Sequence, residues 1–286
     1  MEQQYLSLVK NIIENGEDRE DRTGVGTRAL FAQSIRCNLN DGFPILTTKK
    51  TFHRGAIEEM LFFIRGQTDS KILEKKGIKI WSGNTSREEL DKKGLGNYRE
   101  GDIGAMYGFQ WRHFGAEYDG CEKDYSNQGT DQLKHLIEGL KNDPHSRRHI
   151  MTTFNPSAVK DSVLMPCHIL CQFYVSNDKK LSCSMYQRSA DVGLGVPFNI
   201  IGYAFLTHLI SCILGYGVGD LILTFGDTHI YKNHIDALKL QTQREPYSLP
   251  KFKILNTKDN LEDYQFDDFE IENYNHHPAI KMDMAV

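Results

Sequence analysis

Cys167, between Pro166 and His168, is the side chain in this sequence best suited to nucleophilic chemistry. A cysteine attacks as its thiolate, and a buried thiolate needs a cation nearby. Taken alone, a cysteine after a proline at a strand start is also a small buried hydrophobe. The segment Tyr186-Gln187-Arg188-Ser189-Ala190-Asp191 can supply the cation. Arg188 ends a predicted strand that pairs with the strand after Cys167, so its guanidinium could lower the thiol pKa and hold an anion. A surface ion pair between Arg188 and Asp191 is the alternative.

Two further arginine segments suit a phosphate: Asp21-Arg22-Thr23-Gly24 and Ser146-Arg147-Arg148. The planar guanidinium grips oxygens in pairs, although adjacent arginines also suit a solvated face. In Gly193-Leu194-Gly195-Val196-Pro197-Phe198-Asn199, the asparagine sits just inside an apolar run. If buried, its amide needs partners. Its oxygen can accept from a ring N–H while its NH₂ donates to the adjacent carbonyl, which matches uracil and is the reverse of cytosine. His229 and Tyr231 offer donors for a sugar hydroxyl. Cys167-His168 with Cys171 has neither zinc-knuckle nor haem-attachment spacing, so no metal is expected. Adjacent strand residues face opposite ways, so His168 is not expected to serve as the base of Cys167.

These side chains need elements to hold them. Tyr5, Leu6, Val9, Ile12 and Ile13 recur at helical spacing up to Gly16. Residues 17–27 read as a loop, 28–39 as a strand, Phe52–Ile64 as a buried helix, and 83–104 and 115–130 as long loops. Thr130 is a candidate cap for a helix with Leu133, Leu136, Ile137 and Leu140 on one face. Residues 149–155, 168–175, 180–187 and 221–225 read as strands, Pro197–Leu214 as a central helix, and Tyr231–Gln243 as another. Without clean βαβ alternation, the expected fold is α/β of the α+β type, with a mixed, largely antiparallel sheet flanked by helices. No linker or repeat divides residues 1–286, so one domain is expected.

The chain's 40% apolar and 25% charged residues suffice for a full core. A net charge of −4 and a pI near 6.3 argue against bulk binding to DNA. Met1-Glu2-Gln3-Gln4 is unlike a signal peptide, and Ile200–Leu214 is too short to span a bilayer, so a soluble cytoplasmic protein is expected. The six cysteines are then expected to be free thiols.

Taken together, the motifs resemble the thymidylate synthase family from about residue 5 to the last residue. In family order stand Asp21-Arg22-Thr23-Gly24, Asp41-Gly42-Phe43-Pro44, Tyr107-Gly108-Phe109-Gln110-Trp111-Arg112 and Ser146-Arg147-Arg148. Pro166-Cys167-His168, Tyr186-Gln187-Arg188-Ser189, Val196-Pro197-Phe198-Asn199 and Asp227-Thr228-His229-Ile230-Tyr231 follow. The resemblance implies that Cys167 adds to carbon 6 of dUMP. Arg22, Gln187, Arg188 and Ser189 would bind the nucleotide, and Asn199 would read its base. His229 and Tyr231 would hold the deoxyribose, while Glu59 and Tyr107 would organise water and move protons. It further implies 5,10-methylenetetrahydrofolate as co-substrate beside Ile80, Trp81, Asn84, Leu194, Gly195 and Phe198. Asp191 would hold the pterin, Lys49 the glutamate tail, and Ala285-Val286 would close over the site. It implies a homodimer in which Arg147 and Arg148 reach the partner's nucleotide.

Four places depart from the family pattern: Phe62 and Phe154 replace tryptophans, Ala105-Met106 replaces a Pro-Val pair, and Ser82 stands where an acid is common. A dUMP hydroxymethylase of the same family and a non-catalytic nucleotide- or RNA-binding relict are the alternatives.

Overall fold

The computed structural model describes residues 1–284. Tyr5, Leu6, Val9 and Ile12 form the buried stripe of α1 (Glu2–Asn15), as their spacing requires. The chain continues through β1 (Glu17–Arg19), β2 (Thr27–Asn38), α2 (His53–Ile64), α3 (Lys71–Glu74), α4 (Arg87–Lys92), α5 (Gly108–His113) and α6 (Gln132–Asn142). Then come β3 (Ile150–Thr152), β4 (His168–Val175), β5 (Lys180–Asp191), α7 (Gly195–Leu214), β6 (Gly217–Tyr231), α8 (Ile235–Gln241), β7 (Lys251–Ile254) and β8 (Phe269–Glu272).

Six strands form one sheet in the order β1-β2-β6-β5-β4-β3, and β7 pairs with β8 separately. Every neighbouring pair is antiparallel except β5 and β6. A parallel pair needs a crossover, and α7 provides it. This helix is 20 residues long, which corrects the expectation of a shorter run. Its length and composition would suffice to cross a bilayer. Here, however, it is the core helix: Ile200, Tyr203, Phe205, Leu206 and Leu209 are buried against the sheet and α2 within one continuous apolar cluster. The mixed, mostly antiparallel α/β architecture agrees with the sequence reading. Among the described residues the opposite sheet face has no such cover, and Phe31 and Tyr174 are 77% and 65% exposed on it.

The sheet bends where the site begins. The β2–β6 ladder pairs Gln33 with Phe225 and Phe31 with Asp227 but skips Ala32, whose φ is +58°. On the other flank Gln187 pairs with Phe225 and Ser189 with Asp227, skipping Arg188. Between β4 and β5 the register shifts after His168. Interruptions aligned across neighbouring strands re-aim all that follows. Gly226 lies at their centre, where an added Cβ would meet the Arg188 carbonyl oxygen at 2.8 Å.

Several sequence expectations change. Residues 17–27 include β1 rather than forming only a loop, because Glu17–Arg19 pair with Thr27–Ala29. The predicted loop 83–104 contains α4, whose Ser86 hydroxyl accepts from Glu89 N–H. Asp131 caps α6 by accepting from Lys134 N–H, while Thr130 bridges to Phe114. The strand expected at 221–225 extends to Tyr231, and its last residues alternate: Thr228 and Ile230 are buried while Asp227, His229 and Tyr231 line a cavity. The polar residues beyond Phe225 thus belong to the strand, with their polarity turned to the cavity. Tyr231 therefore ends a strand instead of starting a helix.

One buried carboxylate ties the first helix to this region. Glu2 accepts from the backbone N–H and hydroxyl of both Thr47 and Thr48, at 2.7–2.9 Å. The next residue, Lys49, donates from Nζ to the Gly193 carbonyl at 2.6 Å. The start of α7 is thereby anchored to the N-terminal helix.

Candidate active site

Beyond the bend, the ends of β5 and β6 and the first turns of α7 enclose a cavity of about 660 Å³. That is ample for a nucleotide-sized ligand and more. Arg22, Glu59, Ile80, Trp81, Tyr107, Cys167, Gln187, Arg188, Ser189, Asp191, Leu194, Gly195, Phe198, Asn199, His229 and Tyr231 all line it. Lys49 and Asn84 are buried outside its wall, and Arg147 and Arg148 are exposed elsewhere. Ala285 and Val286 lie outside the described residues.

Cys167 is held by backbone as well as side chains. Its N–H donates to the Tyr107 hydroxyl oxygen at 3.0 Å, and its carbonyl accepts from Arg188 N–H at 2.8 Å. The predicted adjacency of these strands is therefore direct. Arg188 donates from Nε to Pro166 O at 2.8 Å and from Nη2 to Met165 O at 2.6 Å, with Nη2 3.9 Å from Cys167 Sγ. Two carbonyls thus aim the guanidinium at the sulfur. Burial is the largest influence on the sulfur, and Arg188 pulls against it in the direction the sequence suggests. Burial raises the Cys167 thiol above its ordinary value, outweighing the downward pull of Arg188 and then Arg22.

Burial is likewise the largest influence on Glu59, Tyr107 and His168. It pushes the Glu59 carboxyl up to about 7, against a hydrogen bond that Trp81 Nε1 donates to Oε1 at 2.9 Å. A carboxyl titrating near neutrality suits proton transfer. Burial, then the Cys167 charge, raises the Tyr107 hydroxyl, which stays a proton carrier. Tyr107 has φ +35°, an uncommon backbone state that packing must maintain. Its ring stacks on His168, with centroids 4.1 Å apart. His168 also touches the cavity wall, so strict alternation places it too far away. Burial lowers its imidazole to about 3, and Nδ1 meets the Tyr203 hydroxyl at 2.8 Å. A neutral, tyrosine-paired ring does not form a cysteine–histidine dyad.

The remaining wall presents hydrogen-bonding groups. Asp191 Oδ1 accepts from Gly193 N–H at 3.0 Å and Leu194 N–H at 3.4 Å, fixing the turn into α7. Asn199 lies one helical turn beyond Gly195, with no side-chain hydrogen bond among the described residues. His229 Nδ1 pairs with Asp227 Oδ1 at 2.9 Å, leaving Nε2 for a ligand. That histidine, then burial's opposing effect, and finally Arg19 leave the Asp227 carboxyl below its ordinary value. Sequence reasoning did not single out Asp227 or Arg19. The Asp-x-His spacing on a strand, which puts both on one face, was the available signal for Asp227. The Met165 and Pro166 carbonyls have no side-chain signal at all.

Residues 3–286 match the family model described as Thymidylate synthase. The whole chain aligns with thymidylate synthase of Homo sapiens at 53% identity, covering 91% of that protein. The Saccharomyces cerevisiae thymidylate synthase is 52% identical, with 97% covered. The chain belongs to the thymidylate synthase family. It is also 52% identical to the bifunctional dihydrofolate reductase-thymidylate synthase of Paramecium tetraurelia, of which it spans 61%. Membership and these full-length identities support an enzyme catalysing the methyltransferase-type reaction of a thymidylate synthase.

The family departures do not face the cavity. Phe62 is buried beside Phe63, and Ala105 and Met106 are buried in the interior. Ser82 donates to Glu74 Oε1 at 2.8 Å, and Phe154 N–H donates to Thr152 Oγ1 at 3.1 Å. None of the five lines the cavity. Phe62, Ala105 and Met106 thus belong to the packed interior and not to the wall.

The opposed effects on Cys167 give a direct prediction. The pH midpoint for alkylation of Cys167, followed by peptide mass spectrometry, is expected above that of an ordinary thiol. Arg188→Gln moves it higher still. A midpoint below the ordinary value, or one unmoved by Arg188→Gln, contradicts this balance.

Proposed function

We propose that this chain reductively methylates dUMP to dTMP, with Cys167 as the nucleophile and 5,10-methylenetetrahydrofolate as co-substrate. The observation that carries the reading is Cys167 Sγ beside Arg188 in a cavity also lined by Arg22, Ser189, Asn199, His229 and Tyr231. The guanidiniums of Arg22 and Arg188, with the Ser189 hydroxyl, suit a phosphate. Asn199 reads the uracil edge, and His229 and Tyr231 bind the deoxyribose. Ile80, Trp81, Leu194 and Phe198 supply apolar and aromatic wall for a pterin, with Asp191 as an acceptor for its ring N–H groups.

Carbon 5 of uracil is a weak nucleophile. In the proposed mechanism, the Cys167 thiolate adds at carbon 6, and the electron pair moves through carbon 5 onto the carbon 4 carbonyl as an enolate. Covalent addition divides one hard step into easier ones. The folate, when bound, supplies the one-carbon unit and the hydride, leaving as dihydrofolate. Glu59, poised near neutrality, and the Tyr107 hydroxyl manage protons around carbons 4 and 5. Loss of the carbon 5 proton comes before the hydride, which reduces the exocyclic methylene and expels the Cys167 sulfur. The apolar wall keeps water from diverting the reaction to a hydroxymethyl product. The relatives are named thymidylate synthases, so the hydroxymethylase alternative is not favoured.

The working unit is proposed to be a homodimer. Phe31, Ile150, Leu170, Tyr174 and Tyr186 expose apolar surface on the sheet side opposite α7 and at its margin. A second copy would cover that surface. Exposed Arg147 and Arg148 would then reach the partner's phosphate. The protein is expected to be soluble and cytoplasmic.

Incubation with dUMP and methylenetetrahydrofolate is expected to give dTMP and dihydrofolate in equal amounts, identified by mass and absorbance. Cys167→Ala is expected to abolish turnover while retaining nucleotide binding. A hydroxymethyl nucleotide with tetrahydrofolate would select the alternative reaction, and bound nucleotide without turnover would select the relict. Asn199→Asp should narrow the preference for dUMP over dCMP by roughly tenfold or more, the scale of one exchanged base-reading hydrogen bond. Unchanged selectivity removes Asn199 from base reading. Mixing the Cys167→Ala chain with a chain carrying Arg147→Ala and Arg148→Ala should restore activity greater than either alone. Failure of unfolded-and-reassociated mixtures to recover it argues against sites shared between subunits.

A further inference from the structure

His234, which is wholly buried just after β6, has no part in the chemistry described above. Its Nε2 lies 2.7 Å from the backbone oxygen of Asp283. A carbonyl can only accept, so Nε2 donates. The bond spans 49 residues and joins the C-terminal segment to the end of the strand carrying His229 and Tyr231.

The other side of the ring borders the turn into α7. A Cβ added to Gly193 would come within 2.8 Å of His234 Nδ1 and 3.3 Å of Met282 Sδ. Gly193 is itself fixed from two sides, by Lys49 Nζ on its carbonyl and Asp191 Oδ1 on its N–H. His234 therefore occupies a slot between a rigid turn of the cavity wall and the tail. One residue beyond its bond, Met284 lines the cavity.

We infer that His234 is a positioning residue that latches the C-terminal segment to the cavity wall, placing Met284 at the ligand. The consequence for turnover rests on the function proposed above, because Met284 shares the wall with Ile80, Trp81, Leu194 and Phe198, assigned there to the folate. The ring contacts no reacting atom. It acts through the tail, whereas His229 acts on the nucleotide side of the same strand.

Gln retains a side-chain N–H donor but Leu does not, so these replacements separate the hydrogen bond from packing. In the ligand-free protein, His234→Leu is expected to speed carboxypeptidase release of residues 282–284 about tenfold, the effect expected from one buried hydrogen bond. His234→Gln should retain most of the protection. In turnover, His234→Leu should raise the folate KM about tenfold and leave the dUMP dissociation constant within about twofold. Should His234→Leu misfold, Gly193→Ala tests the same slot, since its added methyl displaces the ring and tail. Unchanged tail release in a folded His234→Leu protein overturns the latch, as does equal loss of folate and dUMP binding. Absence of turnover in the unsubstituted protein defeats the functional reading alone, because tail release is measured without substrate.

Discussion

Arg188 is directed at Cys167 by carbonyls that belong to the segment leading into that cysteine. Nε and Nη2 engage Pro166 and Met165, while the Arg188 N–H engages the Cys167 carbonyl. Sulfur and guanidinium are thus positioned by one short stretch of backbone, without relying on two long side chains finding each other. This coupling matters because the cavity is hostile to a bare sulfur anion. Burial raises the thiol, and Arg188 is the largest opposing influence. Charged hydrogen-bond donors gain strength in a desolvated setting, so an accurately held arginine is the suitable counterweight.

That geometry depends in turn on the bend in the sheet. Ala32, Gly226 and Arg188 interrupt the regular ladders at neighbouring positions, and β4 changes register on the far side. Before the bend, alternation separates an interior apolar face from an exterior face. After it, Asp227, His229 and Tyr231 project into the cavity while Thr228 and Ile230 remain in the interior. Gly226 permits the close approach of backbone on which this change of direction rests. The parallel junction of β5 and β6 then places the ends of both strands beside the start of α7.

The sequence made much of this legible, for different reasons in different places. Helical spacing located α1, and the apolar run located α7, although the helix begins before Pro197. Motifs located Cys167, Arg188, Asn199 and most of the cavity wall because each carries a reactive or hydrogen-bonding side chain. The end of β6 was obscure because its polar residues face a cavity rather than solvent. Thr130 reads as a cap because its hydroxyl suits that position, but the backbone puts the next residue, Asp131, there instead. The Arg188 clamp uses main-chain oxygens, which no residue type announces. Arg147 and Arg148 are exposed away from the cavity, so their motif alone did not say where they would lie.

Burial acts on several groups of the cavity in the same sense. It raises Cys167, Glu59 and Tyr107 and lowers His168, in each case favouring the uncharged form, whereas His229 holds Asp227 below its ordinary value. Such a site penalises charge concentrated on one atom. Under the proposed reaction, moving the electron pair from sulfur into a pyrimidine enolate spreads that charge over the ring and its carbonyl. The penalty on the starting thiolate is then relieved as the adduct forms, and neutral proton donors on the same wall would meet the carbonyl. Glu59 in its protonated form and Tyr107 are such donors on the wall that also carries Cys167, the first bonded by Trp81 and the second by the Cys167 N–H. The dryness that makes the free nucleophile costly thus favours its addition to the ring, provided Arg188 stabilises enough thiolate for the attack to begin.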